Sequence, residues 1–339
     1  MQIENFENKT LIIAEIGPNH NGSLKTALAM IKKIAKTGAD VIKFQLANPD
    51  EVYSLDAFKA DYQKKNDPSE SIIEMSKKNQ LKKEDHIKLK KACNKYGVLY
   101  ACSAFDLKSL KFLDKKIDVP FFKIPSGELL STDMLKYISK KKKIILLSTG
   151  MATFREISYV LKLLKKNSLV LMHCVSSYPA KKRDLNLNII DKLKKKFKKT
   201  VGYSDHSLGS NACLAAVAKG ARVIEKHVTI SKNRKGPDHK SSMEIENFKH
   251  FVKKIRELEI ILGKEEKIFT KNEINVKNVA RKSIVTAKKI IKGQKFKEQD
   301  FTFKRPGNGI SPVKLKKIIG KFSLKNIEKN KILKITDIG

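Results

Sequence analysis

Two histidines are the residues whose type and spacing most clearly indicate chemistry. His206 closes the segment TVGYSDH and His227 closes ARVIEKH, and the apolar segment CLAAVAKGA between them has helical character. If the two segments are parallel strands joined by that helix, both imidazoles emerge at the same end of a sheet. Imidazole is a preferred ligand of Mn²⁺, Fe²⁺ and Zn²⁺. With Asp205 and Glu225 nearby, the pair predicts a metal site; the alternative for each is an ordinary hydrogen-bonded histidine at a strand end.

Two lysines indicate an anion pocket. Lys43 in KFQ and Lys123 in FKIPSGE lie inside otherwise apolar strands, and a buried lysine needs an anionic partner. Ser126 and Ser148, the latter in STG before a helix, would add hydroxyls and helix N-terminal amides that suit phosphate or carboxylate. A Schiff-base lysine is the rival interpretation. The histidine pair favours a metal-dependent mechanism, which needs no imine.

The elements that must position these residues are eight short apolar runs alternating with helical patterns such as LKTALAMIKKIAKTGA and REISYVLKLLKK. The runs are TLIIAEIG, DVIKFQ, VLYACSAF, FFKIPSGE, KIILLSTG, LVLMHCVS, TVGYSDH and ARVIEKHVT. Near-continuous apolar strands separated by helices predict an α/β fold with a covered parallel sheet, and eight units predict a (β/α)₈ TIM barrel. A doubly wound open sheet is the alternative.

Polar residues recur where these strands end, and the active sites of such barrels are built at that face. We therefore interpret them as one catalytic ring, although any single member could serve packing alone. Its members are Glu15, Lys43, Gln45, Ser103, Lys123, Ser126, Glu128, Ser148, His173, Ser176, His206, Glu225 and His227.

Two loops are expected to add substrate contacts. In HCVSSYP, His173 has a structural interpretation, whereas Ser176 and Tyr178 could contact a polar substrate. In RKGPDHKSSME, Asp238 and His239 are placed to cover the metal; the alternative for His239 is an exposed loop histidine.

The sequence changes character after the barrel. We predict a barrel domain at 1–262, a charged helical linker at 263–280 and a small domain at 281–339. This last domain is short for a rich core of its own, so we expect it to dock on the barrel or on a partner subunit. Within it, KRPGNGIS holds Arg305 before a rigid turn, where its guanidinium suits a carboxylate or an acetamido carbonyl. An exposed turn arginine without a role is the alternative.

Composition excludes several classes of protein. The net charge is +37, but the chain has 65 lysines and only 7 arginines, whereas nucleic-acid sites rely on arginine forks and interleaved aromatic residues. We therefore expect a lysine-rich solvated surface and no nucleic-acid partner. The four cysteines form no CxxC pair, which favours reduced thiols in a cytoplasmic protein. No signal peptide or run of membrane-spanning length is present, so no membrane association is expected.

The ordered motifs AEIGPNHNG, KFQ, ADYQ, KIPSGELL, STGMAT, HCVSSYP, VGYSDHS, IEKHVT, GPDHKSSME, ARKSI and KRPGNGISP resemble the N-acetylneuraminate (sialic acid) synthase family over about residues 10–335. The resemblance implies a TIM barrel followed by an antifreeze-like (SAF, β-clip) domain in a domain-swapped homodimer. It also implies condensation of phosphoenolpyruvate with N-acetylmannosamine or a close amino sugar and water, giving N-acetylneuraminate and phosphate by C–O cleavage. The implied cofactor is Mn²⁺, with Mg²⁺ or Co²⁺ as alternatives.

The resemblance also assigns roles to residues. It makes His206 and His227 the metal ligands, gives Glu15 a catalytic role and makes Lys43 and Lys123 hold phosphoenolpyruvate. We predict that both lysines and Glu225 are catalytic as well. The implied substrate-binding residues are Gln45, Ser103, Phe105, Ser126, Ser148, Ser176, Tyr178, Asp238 and, acting in trans, Arg305.

Two departures from the family pattern bear on the substrate. Cys102-Ser103-Ala104-Phe105 replaces a common Ser-Thr-Pro-Phe, and Ser176 stands where some members carry Asn in a loop that meets the sugar. A legionaminic acid synthase, or less favourably a pseudaminic acid synthase, is therefore an alternative with the same mechanism. A non-catalytic carbohydrate- or ice-binding protein is the alternative from another class, and the filled ring of strand-end groups counts against it.

Overall fold

The computed structural model describes residues 9–339 and divides into two compact units, one ending at Gly263 and one running from Lys264 to Gly339. The boundary lies at the start of the predicted linker. Each unit has its own hydrophobic core.

The first unit is a closed barrel of eight parallel strands, as predicted. Each strand pairs with the next in sequence, and β8 pairs with β1 to close the sheet. A short β9 (Met243–Glu244) adds to the end of β8. The barrel strands are β1 (Leu11–Glu15), β2 (Val41–Leu46), β3 (Leu99–Ala104), β4 (Phe122–Ile124), β5 (Ile145–Ser148), β6 (Leu169–Cys174), β7 (Thr200–Asp205) and β8 (Val223–Thr229).

Helices follow the strands and cover the barrel. Ser23 begins α1 by accepting a hydrogen bond from the backbone N–H of Thr26, and Thr153 begins α8 with a capping box to Glu156. The helices are α1 (Leu24–Ile34), α2 (Pro49–Val52), α3 (Asp61–Asn66), α4 (Ile72–Asn79), α5 (Asp85–Lys95), α6 (Leu107–Phe112), α7 (Thr132–Ile138), α8 (Phe154–Leu163), α9 (Asn188–Phe197), α10 (Asn211–Ala218) and α11 (Ile245–Leu262). No helix within residues 9–339 is long and apolar enough to span a membrane.

The alternation of side chains along each strand explains the polar ring. In β1, Leu11 and Ile13 fill the barrel interior, and the next side chain on the same face is Glu15. In β2, Val41 is followed on the inner face by Lys43. The interior is therefore apolar toward the amino ends of the strands and polar at the carboxyl ends.

The second unit contains α12 (Lys271–Ala280), which lies within the predicted helical linker, and an antiparallel pair, β10 (Ser283–Thr286) and β11 (Phe301–Lys304). The expectation that this region lacks a rich core is wrong, because distant turns bring eight apolar side chains together. Its buried members are Ile284, Ile290, Phe296, Phe301, Ile310, Ile318, Ile327 and Leu333.

Candidate active site

One cavity at the carboxyl ends of the barrel strands gathers most of the predicted ring. Its lining residues are Glu15, Lys43, Gln45, Ser103, Phe105, Lys123, Pro125, Ser126, Gly127, Ser148, Met151, Cys174, Ser176, Tyr178, Ser204, His206, Glu225 and His227. All fifteen proposed site residues except Asp238 and Arg305 are among them. Asp238 lies beside the cavity, 3.5 Å from His227. Arg305 is an exposed residue of the second unit, and its action in trans stays a prediction.

Lys43 is held between two carboxylates. Its Nζ lies 2.7 Å from Glu15 Oε2 and 3.6 Å from Glu225 Oε1, and it donates a hydrogen bond of 3.0 Å to Ser103 Oγ. Gln45 Nε2 donates to the other Glu15 oxygen at 2.8 Å. The expected pairing of buried lysines with anions is confirmed here.

Lys123 contacts Glu225 as well. Its Nζ lies 3.4 Å from Glu225 Oε1 and donates to Ser148 Oγ at 2.8 Å. Both lysines and both glutamates are at most 4% exposed. The cavity therefore contains two buried cations and two buried carboxylates in one network.

The two carboxylates differ in their electrostatic environment. Burial, reinforced by the charge on Glu225, raises the pKa of Glu15 to about 7 despite Lys43. Burial alone would also raise the pKa of Glu225, but Lys123 and Lys43 outweigh it and hold that pKa at about 2. Glu225 is thus ionised at neutral pH, whereas Glu15 can exchange a proton there. Such divergence separates an acid–base group from a fixed charge.

The hydroxyls of Ser126 and Ser176 converge on Gly150. Its backbone N–H donates to Ser126 Oγ at 3.1 Å, and a Cβ placed on Gly150 would come within 2.4 Å of Ser176 Oγ. The absence of a side chain on Gly150 thus lets both hydroxyls pack closely against its backbone. The predicted contribution of helix amides after Ser148 is wrong, because α8 begins only at Phe154, outside the cavity lining. A short 3₁₀ helix, Ser126–Glu128, does begin in the cavity lining.

The two histidines also converge. Their ring centroids are 5.5 Å apart, and His206 Nδ1 lies 2.7 Å from the carbonyl oxygen of Val175. Donation from Nδ1 to that carbonyl leaves Nε2 with a free lone pair. Burial lowers the pKa of His206 to about 4 and that of His227 well below its ordinary value. Both imidazoles are therefore neutral at pH 7, which is the form that binds metals.

The donor set fits a divalent ion with only two protein ligands. Within residues 9–339, no three His, Cys, Asp or Glu side chains converge as a metal site. His227 Nδ1 and Glu225 Oε2 are buried without a hydrogen-bond partner in the described chain, so donor capacity remains beside the histidine pair. Water and substrate oxygens would complete such a coordination sphere.

Four sequence expectations need correction. Asp205 is not part of the site, because it lies on the outer face of β7 and pairs with Lys226 at 2.5 Å. Glu128 does not line the cavity and accepts a hydrogen bond from Ser131. His173, placed in the catalytic ring, lies outside this cavity and its Nε2 contacts the Leu185 carbonyl at 2.7 Å, as its structural interpretation requires.

The fourth correction concerns His239. Both interpretations of His239 are wrong: this residue is fully buried, so it is not an exposed loop histidine, and it does not line the cavity, so it does not cover the histidine pair. Its Nδ1 lies 2.7 Å from Thr229 Oγ1 and its Nε2 lies 2.9 Å from Asn21 Oδ1. His239 therefore fixes the loop that carries Asp238.

Sequence reasoning missed Ser204 and the role of Tyr62. Ser204 Oγ donates to Glu225 Oε1 at 3.1 Å, and its position two residues before His206 on one strand could have revealed its inward direction. Tyr62 stacks on Tyr178 with ring centroids 5.0 Å apart, and no local pattern in ADYQ indicates this contact.

Comparison with known proteins identifies relatives along nearly the whole chain. Residues 30–267 match the NeuB family and residues 281–339 match the SAF domain. The chain is 42% identical over 332 residues to the N,N'-diacetyllegionaminic acid synthase of Campylobacter jejuni subsp. jejuni serotype O:2, covering 96% of this chain and 99% of the relative. It is 38% identical over 317 residues to the enzyme of the same name from Legionella pneumophila subsp. pneumophila, covering 91% and 89%.

A solved structure is similar as well. The N-acetylneuraminic acid (sialic acid) synthetase from Leptospira borgpetersenii serovar Hardjo-bovis is 34% identical, with a TM-score of 0.72 over 79% of this chain and 90% of that one. The barrel, the strand-end cluster and the matches along both units lead to one assignment. This chain belongs to the NeuB family of sialic-acid-type synthases and carries a C-terminal SAF domain.

Proposed function

We propose that this protein condenses phosphoenolpyruvate with the open-chain form of an N-acylated amino sugar and with water, producing a nine-carbon sugar acid and phosphate. The observation that carries the proposal is the pair of buried lysines, Lys43 and Lys123, each bonded to a serine hydroxyl in one cavity. Phosphoenolpyruvate presents a carboxylate and a phosphate, and two fixed cations flanked by hydroxyls are suited to both.

Charge balance supports an anionic substrate. When Glu15 is protonated, the two lysines face the single charge of Glu225, and the cluster carries a net positive charge. An incoming anion would neutralise this excess positive charge without a large rearrangement of the site. Desolvation in the barrel mouth strengthens this attraction.

The reaction forms one carbon–carbon bond and breaks one carbon–oxygen bond. C3 of phosphoenolpyruvate attacks the aldehyde carbon of the sugar, whose oxygen takes a proton and becomes a hydroxyl. Positive charge develops at C2, water adds there, and the tetrahedral intermediate expels phosphate with the electrons of the C2–O bond. We assign the ionised Glu15 two tasks: it stabilises the charge at C2 and accepts the proton of the attacking water.

His206 and His227 would hold a divalent ion, with Mn²⁺ the proposed metal. When bound, such an ion supplies Lewis-acid polarisation of the aldehyde oxygen. The chain's own contribution is to keep both imidazoles neutral by burial and to orient His206 through the Val175 carbonyl. Tyr178, whose ring centroid lies 4.1 Å from that of His206, covers this side of the cavity against water.

The favoured substrate is a diacetamido sugar. Two relatives of 42% and 38% identity, matched over nearly their full lengths, are N,N'-diacetyllegionaminic acid synthases. We therefore propose 2,4-diacetamido-2,4,6-trideoxymannose as the sugar and a legionaminic-type acid as the product. N-Acetylmannosamine, with N-acetylneuraminate as product, is the second candidate, favoured by the similarity to the Leptospira enzyme.

We also propose a homodimer in which Arg305 of one subunit serves the barrel of the other. Apolar side chains exposed near the end of α11 and before α12, Ile260, Ile261 and Ile268, support a covering partner, since each is at least 72% exposed. Mixing inactive Arg305→Ala and Lys123→Met subunits should restore activity, because one site of each mixed dimer is then complete. Mixtures as inactive as the separate variants would contradict the shared site.

The test of the proposed function is phosphate release from phosphoenolpyruvate with Mn²⁺ and each sugar, followed by mass spectrometry of the product. We expect sugar-dependent release and a product mass equal to sugar plus pyruvate. Lys123→Met serves as the inactive control. No release with either sugar would overturn the proposal.

A further inference from the structure

A second cavity adjoins the active site and shares Gln45, Phe105 and Tyr178 with it. It is formed mainly by the segment after β2, including α3 and α4, and by the loop that carries Asp238. Its other lining residues are Pro18, Ala47, Tyr53, Tyr62, Gln63, Met75, Ser76, Asn79, Gln80, Pro237 and Asp238. The shared residues, Tyr178 among them, make this cavity reachable from the histidine side of the active site.

The cavity walls are held in place by contacts across the chain. Tyr62 stacks on Tyr178, which in turn contacts His206, so one wall is continuous with the active site. Asn66 Nδ2 donates to the carbonyl oxygen of Pro237 at 3.1 Å, which ties the end of α3 to the Asp238 loop. The cavity is thus a fixed extension of the site.

Side chains from α4 and its end add amide groups to this surface. Gln80 Oε1 accepts a hydrogen bond of 3.3 Å from the backbone of Ala47, and Asn79 Nδ2 donates to the Met75 carbonyl at 2.9 Å. These bonds fix one end of each carboxamide and leave the opposite end, an NH₂ or a carbonyl, for a ligand.

The chemistry of the lining is neutral. Carboxamides and hydroxyls alternate with apolar surface from Pro18, Ala47 and Met75, and among the described residues no lysine or arginine lines the cavity. Because the chain has 65 lysines, a cavity lined by none of them indicates a preference for an uncharged ligand. Asp238 is the one carboxyl group in the lining. A phosphate group here would meet no cation and would lose its hydration, which is strongly unfavourable.

We propose that this cavity binds a second acylamino group of the sugar and thereby selects neutral diacylated sugars over sugar phosphates. An acylamino group carries an N–H, a carbonyl and a methyl, which the amides, hydroxyls and apolar side chains of the lining complement. Tyr62, Gln63, Asn79 and Gln80 are the specificity-determining residues. The inference rests on the proposed function and identifies which class of sugar it uses.

The experiment compares kcat/KM for three sugars at saturating phosphoenolpyruvate: 2,4-diacetamido-2,4,6-trideoxymannose, N-acetylmannosamine and N-acetylmannosamine 6-phosphate. Loss of phosphoenolpyruvate is followed directly, so that the sugar phosphate does not obscure the signal. We expect the diacetamido sugar to exceed N-acetylmannosamine by about tenfold or more and the 6-phosphate to be the poorest.

Variants at Gln63 test the charge argument. Gln63→Lys places a cation in the cavity and should raise kcat/KM for the 6-phosphate by about tenfold while lowering it for the diacetamido sugar. Gln63→Met, of similar length but uncharged, should not raise activity with the phosphate. Lys64→Met, at the exposed neighbouring position, should keep the wild-type order of the three sugars.

Failure of the inference differs from failure of the proposed function. If the wild type uses the 6-phosphate as well as the diacetamido sugar, the inference is overturned although the proposed reaction stands. If phosphoenolpyruvate is not consumed with any of the three sugars, the proposed reaction is wrong. Calorimetric titration with the same sugars then tests the binding preference of the cavity by itself. Tighter binding of the diacetamido sugar would then support the inference, and equal binding would overturn it.

Discussion

Strand β8 carries two groups of buried charges on opposite faces, and they differ in how fully their hydrogen-bonding atoms are paired. On the outer face, Lys226 Nζ lies 2.5 Å from Asp205 Oδ2 and donates to the Ser207 carbonyl. Asp205 also accepts from the Tyr203 hydroxyl at 3.0 Å and the Ser207 N–H at 2.8 Å. On the inner face, Glu225 Oε2 has no hydrogen-bond partner among residues 9–339.

The difference separates a structural ion pair from a binding site. Lys226 and Asp205 satisfy each other, so their burial specifies the packing of the barrel wall. Lys43, Lys123, Glu15 and Glu225 hold surplus donor and acceptor capacity at a cavity. Buried groups left partly unsatisfied are costly, and they persist in proteins where a ligand completes them.

The largest expected effects come from replacing one lysine in each system. Lys123→Met should reduce kcat/KM by about 10²–10³-fold, because a fixed cation facing developing negative charge is lost. Lys226→Met should instead lower the free energy of unfolding by about 3–5 kcal/mol, because Asp205 is left buried and unpaired. Steady-state kinetics and urea unfolding of both variants measure the two effects. If both variants lost the same stability and Lys123→Met kept its kcat/KM, the distinction between a binding site and a structural ion pair would be wrong.

Metal removal should also act on the inner system alone. Treatment with EDTA should abolish turnover and added Mn²⁺ should restore it, since His206 and His227 would lose their ion. The difference in free energy of unfolding between the wild type and Lys226→Met should be the same with and without EDTA. His173→Asn, a change at a histidine outside the cavity, should preserve the Mn²⁺ response. Full activity after exhaustive chelation would exclude the metal role.

A smaller effect is expected in the pH dependence. Burial and Glu225 place the pKa of Glu15 at about 7, so this carboxyl group loses its proton as the pH rises through neutrality. Because the ionised form is the proposed active one, kcat at saturating phosphoenolpyruvate should rise with pH through this range. Glu15→Gln should lower kcat/KM by about 10²-fold and flatten that limb. An unchanged limb in the variant would assign the titration to another group.

The smallest effects should come from single hydrogen bonds. Ser204→Ala removes the bond to Glu225 and should reduce kcat/KM by about threefold to tenfold, as expected for about 1 kcal/mol. Cys213→Ala removes a 3.3 Å contact to Asp205 and should lower stability by about 1 kcal/mol without a kinetic change. The division between the two faces would be contradicted if Cys213→Ala lowered kcat/KM, or if Ser204→Ala lowered the free energy of unfolding without changing kcat/KM.

The sequence predicted the barrel because its strands are buried on both faces and therefore appear as continuous apolar runs. The site was also predictable in outline, since Glu15 and Lys43 interrupt those runs where the strands end. Asp205 shows where proximity in sequence fails. It precedes His206 by one residue, and alternation places neighbouring side chains of a strand on opposite faces.

Contacts between distant segments account for what could not be predicted. The burial of His239 depends on Asn21, 218 residues away, and the second cavity depends on Asn66 reaching Pro237. Neither contact leaves a local pattern in the sequence. The eight-residue apolar core of the second unit likewise arises from turns that bring together residues between Ile284 and Leu333.

The central claim is that the inner cluster cleaves the C–O bond of phosphoenolpyruvate during sugar condensation. The most direct test uses phosphoenolpyruvate labelled with oxygen-18 at the bridging position, together with the diacetamido sugar and Mn²⁺. Mass spectrometry should find the label in the released phosphate, because water supplies the new oxygen at C2. Label retained in the sugar acid, or no phosphate released, would contradict the account.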